Sequence, residues 1–329
     1  MLKRPRRTTR RNPVKIKAPS DRAAGEEGKE HVMKKRLKRE IPFHLMLLLP
    51  MLFLAVFSFA PLFGILMAFQ DYMPAKGILQ SRWVGLENFD FIFSLPSSRQ
   101  IFANTIIISL GKLAAGIIVP VFFALLLNEI RVIAFKRTVQ TIVYLPHFLS
   151  WVVLANVVSS ILGFDGPINS LIQSTGHDPI LFLGSNVWFR PVIILSDCWK
   201  EFGYGSIIYL SALTSIDPGL YESASLDGAS RLQKIFYITL PMLVPTIVLM
   251  MALNLGNILN AGFDQIFNLY NPLVYETGDI IDTYVYRIGL IDMQYSLATA
   301  VGLIKSVIGF VLIMSSNLVS RKLVSRSIF

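Results

Sequence analysis

Residues 43–69 read FHLMLLLPMLFLAVFSFAPLFGILMAF, an apolar run of 27 residues. A helix needs about 20 such residues to cross the roughly 30 Å hydrocarbon core of a bilayer. The run is longer than the apolar region of a secretory signal peptide, and no small-residue cleavage motif follows it closely. It therefore predicts a first membrane span.

Comparable apolar runs recur along the chain. Of its 329 residues, 53% are hydrophobic and only 16% are charged, which is far from the composition of a soluble domain. Hydropathy and helix-breaking residues place six spans, at about 43–69, 101–127, 141–162, 191–213, 241–262 and 296–319. The predicted fold class is all-α, a polytopic membrane protein in which residues 41–329 form one six-span domain.

Positive charge is concentrated at the N terminus. Residues 1–40 hold fifteen Lys and Arg against five acids, which accounts for the whole net charge of +10. This segment has too few apolar residues to bury a core, so we predict a disordered, cytoplasmic tail that contacts membrane lipid. The balanced remainder of the chain argues against a nucleic-acid partner.

The distribution of Lys and Arg between the loops predicts the orientation. An even number of spans places both termini on one side of the membrane. The N-terminal tail, the loops at 128–140 and 214–240 and the C-terminal end together hold more basic residues than the opposite loops. Both termini are therefore expected to be cytoplasmic, and the outer loop at 263–295 to be net acidic.

Few residues offer a metal site or catalytic chemistry. The single cysteine, Cys198, excludes an internal disulfide framework, and the four histidines lack the close spacing of metal ligands. The pair Gly111-Lys112 lacks the upstream glycine of a phosphate-binding loop and lies within an apolar run. We predict no metal, no catalytic residue and no ATP hydrolysis by this chain.

The most specific sequence lies between the fourth and fifth spans. Residues 217–245 read DPGLYESASLDGASRLQKIFYITLPMLVP. Pro218 is typical of a helix start, Asp227-Gly228 of a break, and the amphipathic run to Ile238 of a second short helix at an angle to the first. Glu222 lies among small and apolar residues. Such a surface suits docking into a groove of another protein.

The loop closely resembles the Glu-Ala-Ala loop of permeases in binding-protein-dependent ABC importers. The matching residues are Glu222, Ala224, Asp227, Gly228, Ala229, Ile238, Pro241 and Pro245. Ser223, where the family has alanine, is the one departure. Phe102-Ala-Asn-Thr and the stretch at 136–151 add to the resemblance, which covers about residues 40–329.

The resemblance implies a function and a set of partners. The loop would be a cytoplasmic coupling helix that seats on a separate ATPase subunit and receives its movement. The residues expected to couple rather than catalyse are Glu222, Ser223, Ala224, Asp227, Gly228, Ala229 and Pro241. The implied partners are two ATPase subunits that bind ATP and Mg, a second permease of similar fold and an extracytoplasmic solute-binding protein.

The resemblance also implies a location and a substrate. The location is the bacterial inner membrane. The substrate is a sugar or oligosaccharide, because the chain looks most like permeases for fragments of plant or algal polysaccharides, including acidic ones such as alginate and rhamnogalacturonan.

Polar side chains at membrane depth mark a candidate substrate path, because such groups are costly unless they face a partner or a wet cavity. The candidates are Trp199, Lys200, Tyr204, Asn254, Asn257, Asn260 and Gln265. The three asparagines would share about 120° of the fifth span, where amides can bind sugar hydroxyls. Helix packing is the alternative, since amides also hold membrane helices together.

The lysines at membrane depth leave the charge of the substrate open. Lys112, Lys200 and Lys305 could receive a uronate, because a carboxylate best offsets a buried ammonium. Asp197 and Glu201 could neutralise the lysines instead. Asp197 is three residues before Lys200, a spacing that allows the two to pair on one helix face.

Two other functional classes remain as alternatives. An ion-coupled secondary transporter would explain six spans and buried charge, but it leaves the loop unexplained and no inverted repeat is evident. A membrane-embedded enzyme would need a motif such as His-Glu-x-x-His or Gly-x-Ser-x-Gly, which the sequence lacks.

Overall fold

The computed structural model of the protein describes residues 40–256 and 258–324. Residues 1–39 of the predicted basic tail at 1–40 and the candidate Asn257 lie outside the described residues, whereas Glu40 is helical. The described residues fall into two compact units, one that ends at Phe63 and one that begins at Gly64.

The first helix, α1 (Glu40–Phe69), contains the first predicted span and has the length and hydropathy of a membrane helix. Its backbone widens to a π turn at Ala55–Phe59 and then tightens to 3₁₀ geometry at Ala60–Phe69. Pro61 lies at this change, and proline cannot donate the hydrogen bond that a regular α-helix requires there. The local irregularity therefore follows from the sequence.

The second unit begins with a small hairpin and two short helices. Strand β1 (Gln70–Asp71) pairs antiparallel with β2 (Arg82–Trp83), and α2 (Gly77–Gln80) lies between them. Helix α3 (Glu87–Ser94) follows. The Asn88 amide donates to the carbonyls of Ala68 and Gln70, at 2.9 and 3.0 Å, and so ties α3 to the hairpin.

Helices make up the rest of the second unit. The first group is α4 (Pro96–Glu129), α5 (Ile133–Tyr144), a 3₁₀ turn (Leu145–Phe148), α6 (Trp151–Leu162), α7 (Pro167–Ser174) and α8 (Phe189–Thr214). The next group is α9 (Pro218–Leu226), α10 (Arg231–Lys234), a π turn (Ile235–Thr239) and α11 (Leu240–Leu255). The last group is α12 (Phe263–Leu269), a 3₁₀ turn (Pro272–Val274), α13 (Tyr275–Gly278), α14 (Ile281–Tyr286), a π turn (Arg287–Ile291) and α15 (Tyr295–Val324).

Every predicted span overlaps a helix. Five described segments have the length and hydropathy of membrane spans: Glu40–Phe69, Pro96–Glu129, Trp151–Ser174, Arg231–Leu255 and Tyr295–Ser315. The predicted fourth span is α8, whose 26 residues are about 39 Å long. It is long enough to cross, but Asp197, Lys200 and Glu201 lower its hydropathy.

Two predicted boundaries are wrong. The third span was placed at 141–162, but the membrane helix begins at Trp151, because the Ser150 hydroxyl caps a new helix by accepting from the Val153 N–H. The fifth span was placed at 241–262, but the apolar helix extends over Arg231–Leu255. It passes Pro241 through the π turn, which absorbs the hydrogen bond that proline cannot make.

Buried side chains form three clusters in the second unit. One joins α4, α6, α8 and α12, with Phe189 and Ile193 fully buried. A second joins α3, α4, α14 and α15 around Ile92. The third joins α4, α8 and α11 around Tyr209 and Leu243. Helices α4 and α8 contribute to more than one cluster and therefore connect the clusters.

A close approach of α8 to the end of α5 gives a stability prediction. A Cβ atom on Gly203 would overlap the backbone carbonyl of Val143, whereas one on Gly205 would lie 3.5 Å from the side chain of Pro120, an ordinary contact. We expect Gly203→Ala to lower the free energy of unfolding by about 1–3 kcal/mol, because backbone has to move. Thermal unfolding in detergent measures it.

Gly205→Ala is the matched control, two residues away on the same helix. It should leave the melting temperature nearly unchanged or raise it slightly, since alanine favours helix over glycine. Equal melting temperatures for the two variants would contradict the close approach.

Candidate functional site

The loop after α8 is a helical hairpin with defined ends. The Asp217 carboxylate accepts from the Gly219 N–H at 2.9 Å and begins α9, with Pro218 in the first turn. Gly228 has φ of +79°, and the Ala229 N–H donates back to the Ala224 carbonyl at 2.9 Å. This is the usual glycine ending of a helix. The predicted helix and the break at Asp227-Gly228 are confirmed.

Side-chain contacts hold the two arms of the hairpin together. Ser230 caps α10 reciprocally with Gln233. The Lys234 ammonium donates to the Ser225 hydroxyl at 2.6 Å, and the hydroxyls of Tyr221 and Thr239 are 3.0 Å apart. Helix α10 and the π turn after it are thus each bonded to α9, so the hairpin can move as a unit.

The hairpin presents an exposed apolar surface with a shallow hollow. Leu226 is 90% exposed and Tyr237 is 79% exposed. The hollow has a volume of about 320 Å³, and its lining includes Ala224, Asp227, Gly228 and Ala229. Four of the seven predicted coupling residues therefore line one concavity.

The other three coupling candidates lie beside it or away from it. Glu222 and Ser223 are exposed on α9, and the Glu222 carboxylate has no side-chain partner among the described residues. Pro241 is exposed within the long helix Arg231–Leu255 and does not line the hollow. Its structural effect is on the helix backbone next to the π turn.

A second candidate site is a cavity of about 340 Å³ between α4, α8 and the end of α11. Its polar lining residues are Ser109, Lys112, Asp197, Glu201, Tyr204, Tyr209, Asn254 and Asn260. Three of the predicted substrate-path residues, Tyr204, Asn254 and Asn260, are therefore brought together. The lining offers hydroxyl, amide and charged groups, which suits a ligand with many hydroxyls.

The Lys112 ammonium is the centre of this cavity's polar network. It lies 3.2 Å from the Asp197 carboxylate and donates to the Ala261 carbonyl at 2.7 Å and to the Gln265 side-chain oxygen. The Gln265 amide donates to the Ile193 carbonyl and the Ser196 hydroxyl, each at 2.8 Å. One lysine on α4 thus binds α8, α12 and the chain before α12.

A second polar cluster lies further along α8. The Lys200 ammonium donates to the His147 carbonyl at 2.7 Å and lies 3.1 Å from the Glu201 carboxylate. The same carboxylate contacts His147 Nδ1 at 2.7 Å, and the His147 ring stacks on Tyr204 with centroids 3.9 Å apart. The 3₁₀ turn that carries His147 therefore fixes one wall of the cavity.

Several of the predicted path residues lie outside this cavity. Gln265 is fully buried and positions Lys112 instead of lining the cavity. Lys200 lies against His147, and Trp199 is outside the lining. Asp197 pairs with Lys112 on α4, not with Lys200 on its own helix, because Lys112 faces it directly across the helix pair.

Asn254 and Asn260 do not share a face of the fifth span. Helix α11 ends at Leu255, so Asn254 is helical and Asn260 is not. Asn260 lies in the non-helical chain that leads to Gly262, whose φ of +91° begins α12. Gly256 interrupts the pattern, since glycine is a poor helix residue. Asn260 accepts from Lys305 at 2.9 Å, and Lys305 also binds Asp282 at 2.6 Å.

The loop at 263–295 holds one of its acids in a buried ion pair. Asp279 is buried and binds Arg287, whose guanidinium lies 4.5 Å from the centre of the Tyr275 ring. Burial disfavours the charged guanidinium, but the hydrogen bond and charge of Asp279 outweigh it and raise the pKa of Arg287. Burial and the neighbouring Tyr275 raise the pKa of Tyr270 to about 12.

Two charged residues line the cavity although neither is among the predicted path candidates. They are Lys112, which the sequence analysis weighs as a partner of a uronate, and Asp197, which it weighs as a neutralising acid. Their cost in lipid is the signal that could have placed them in the path. The sequence carries no comparable signal for His147, which stacks on Tyr204 of the lining. Within residues 40–256 and 258–324, no group of three or more His, Cys, Asp and Glu side chains could hold a metal ion.

Comparison with known proteins gives matches over most of the chain. The sequence model of the family described as "Binding-protein-dependent transport system inner membrane component" matches residues 116–325. The polygalacturonan/rhamnogalacturonan transport system permease protein YteP of Bacillus subtilis (strain 168) is 42% identical over 287 residues, which cover 87% of this chain and 89% of that protein.

Two solved structures share the fold. One chain of a bacterial ABC transporter involved in the import of the acidic polysaccharide alginate is 40% identical, with a TM-score of 0.80, and the match covers 88% of this chain and 99% of that one. In the alginate transporter bound to its periplasmic protein with an alginate pentasaccharide, the matching chain is 39% identical, with a TM-score of 0.80 and coverage of 89% and 99%.

The Lys112–Asp197 pair gives a prediction about stability. Lys112→Met leaves the Asp197 carboxylate without its cation, and we expect a loss of about 3–5 kcal/mol in the free energy of unfolding. The double variant Lys112→Met with Asp197→Leu should lose less than Lys112→Met alone, because no unpaired charge remains. Unfolding in mixed detergent micelles measures these losses, and the two single variants with the double variant form a double-mutant cycle. Additive losses would contradict a direct interaction.

Proposed function

Because the chain belongs to the family of inner-membrane components of binding-protein-dependent transport systems, we propose that it is one permease subunit of an ATP-driven importer of oligosaccharides. Membership confirms the resemblance recognised in the loop at 217–245. It also argues against the two alternatives, an ion-coupled carrier and a membrane enzyme. The chain is thus a transport subunit, and its ATPase is a separate polypeptide.

The hairpin of α9 and α10 carries the proposal. Its surface is apolar and exposed around Leu226 and Tyr237, and it includes a hollow and the exposed carboxylate of Glu222. Exposed apolar patches on an otherwise folded surface are typical of protein docking sites. We assign this surface to an ATPase subunit, with Glu222 available to a basic group of that partner.

The connections of the hairpin suggest how movement reaches the substrate. The hairpin joins α8 to the helix Arg231–Leu255, and both helices line the central cavity, through Asp197, Glu201 and Tyr204 on α8 and Asn254 at the other helix end. Displacement of the hairpin by a closing ATPase would shift both walls together. Rigid-body movement of this kind is a common basis of switching between states.

The cavity supports a sugar as the substrate. Asn254, Asn260 and Tyr209 offer hydrogen bonds, and the Tyr204 ring offers a face on which a sugar ring can stack. Its ionic lining is one ammonium, Lys112, against the carboxylates of Asp197 and Glu201. These charges do not favour a uronate, so we propose that this chain recognises hydroxyl groups.

The relatives suggest the class of oligosaccharide. They are named for polygalacturonan/rhamnogalacturonan and for the acidic polysaccharide alginate. We propose fragments of acidic polysaccharides as the substrate, with the carboxylates recognised by the solute-binding protein and the second permease. The three membrane lysines of this chain, Lys112, Lys200 and Lys305, are each already paired with a carboxylate.

The proposed assembly contains this chain, a second permease, two ATPase subunits that bind ATP and Mg, and an extracytoplasmic solute-binding protein. The hairpin must face the ATPases, so we propose that it is cytoplasmic. Both chain termini then lie on the cytoplasmic side of the bacterial inner membrane, in agreement with the distribution of Lys and Arg.

The docking role of the hairpin predicts a loss of coupling. In the reconstituted complex, Glu222→Ala should reduce the stimulation of ATP hydrolysis by oligosaccharide-loaded binding protein about tenfold, which corresponds to one charge-assisted hydrogen bond. Gly228→Pro should reduce it further, because proline cannot adopt the left-handed conformation that ends α9.

Glu129→Ala is the matched control, since Glu129 is an exposed acid at the end of α4 on the same proposed side. It should leave stimulation intact. Stimulation that survives in the Glu222 and Gly228 variants, in complexes that still contain the ATPase, would contradict the docking role.

The cavity predicts a defect in translocation. We expect Asn254→Ala to reduce oligosaccharide uptake into proteoliposomes roughly 3- to 30-fold, because a hydroxyl of the substrate loses its hydrogen-bond partner. Asn268→Ala is the control, since this exposed amide bonds to the Asp264 carbonyl of its own helix. Equal uptake by the two variants would place the sugar elsewhere.

A further inference from the structure

A large apolar cavity lies between α3, α4 and α15, away from the central polar cavity. Its volume is about 860 Å³, within the range that holds small-molecule ligands. Four phenylalanines, at 69, 89, 93 and 102, form one part of the wall. Val307 and its neighbours on α15 form another. Phe93 and Val307 are more than half exposed, so the cavity opens on the surface of its unit.

Two polar groups in the lining have no partner in the protein. The Ser98 hydroxyl is buried, with the residue 4% exposed, and it makes no hydrogen bond. The guanidinium of Arg99 has neither an ion pair nor a hydrogen bond within the described part of the chain. A buried hydroxyl without a partner costs free energy, and a cation beside it defines a place for an anion.

The positions of these groups along the helices match the layers of a bilayer. Arg99 is in the first turn of α4, where a membrane helix meets the headgroup layer. Phe102 is one turn deeper. On α15 the lining continues to Ile308, about 20 Å from the helix start at Tyr295. Both helices begin on the same side of the membrane in the predicted topology.

We propose that this cavity binds one anionic phospholipid. Arg99 and Ser98 donate hydrogen bonds to the phosphate, and an acyl chain fills the space between the phenylalanines and α15. A free phosphate would gain nothing from the apolar wall, and an uncharged apolar ligand would leave both donors unpaired. The lipid satisfies both parts of the lining, independently of what the protein transports.

Binding of dioleoyl phosphatidylglycerol to the purified full chain tests the proposal. Native mass spectrometry gives the dissociation constant of the first bound lipid. We expect Arg99→Gln to weaken it roughly tenfold, since a charge-assisted contact to the phosphate is lost. Val307→Trp should weaken it similarly by filling the cavity.

Each variant has a matched control outside the cavity. Arg82→Gln removes an exposed arginine of β2, and Val311→Trp enlarges a side chain on the same face of α15, where Val307 and Val311 are 56% and 58% exposed. Both controls should bind as the native chain does. Equal weakening in the controls would indicate general lipid coating, and unchanged binding by Arg99→Gln would reject the phosphate site. If Val307→Trp fails to fold, the comparison of Arg99→Gln with its control Arg82→Gln decides.

A photoreactive residue at position 307 distinguishes lipid from protein as the occupant. In the assembled transporter it should cross-link to phospholipid. A dominant cross-link to protein, whether from this chain or from a partner subunit, would overturn the proposal.

Discussion

A lysine and an aspartate, Lys112 and Asp197, meet 3.2 Å apart between two membrane helices, and the centre of the protein is organised around them. Neither charge is tolerable alone in a lipid-facing helix. Pairing allows α8 to be a membrane helix despite Asp197, Lys200 and Glu201. The same ammonium caps the Ala261 carbonyl and binds Gln265, which stabilises the point where the fifth span ends and α12 begins. The non-helical chain at this point is tolerable at membrane depth because it faces a polar cavity.

This arrangement connects the two candidate sites. The walls of the cavity come from α8 and from the helix that ends at Leu255, and these are the two helices that the hairpin joins. The hairpin is internally bonded, so a force applied to it is transmitted along both helices instead of being absorbed locally. The cavity proposed for the substrate and the hairpin proposed to dock the ATPase are therefore mechanically connected through these two helices.

Much of the fold follows from the sequence because lipid imposes simple rules on it. The run at 43–69 is apolar enough to predict a helix without any tertiary information. The break at Asp227-Gly228 was also predictable, since glycine readily takes the conformation that ends a helix. The fifth span was misplaced because a π turn lets the helix pass Pro241, and hydropathy does not report backbone hydrogen bonds. Partner choice among buried charges was not predictable either. Whether Asp197 pairs with Lys200 or with Lys112 depends on which helix faces α8, and that is a tertiary property.

The most direct measurement is uptake of a labelled acidic oligosaccharide into proteoliposomes that contain the assembled transporter, with solute-binding protein outside and ATP inside. The account predicts uptake only when ATP can be hydrolysed and the loaded binding protein is present, with no response to an imposed ion gradient. Uptake driven by an ion gradient in the absence of ATP would contradict it and would identify the chain as a secondary carrier.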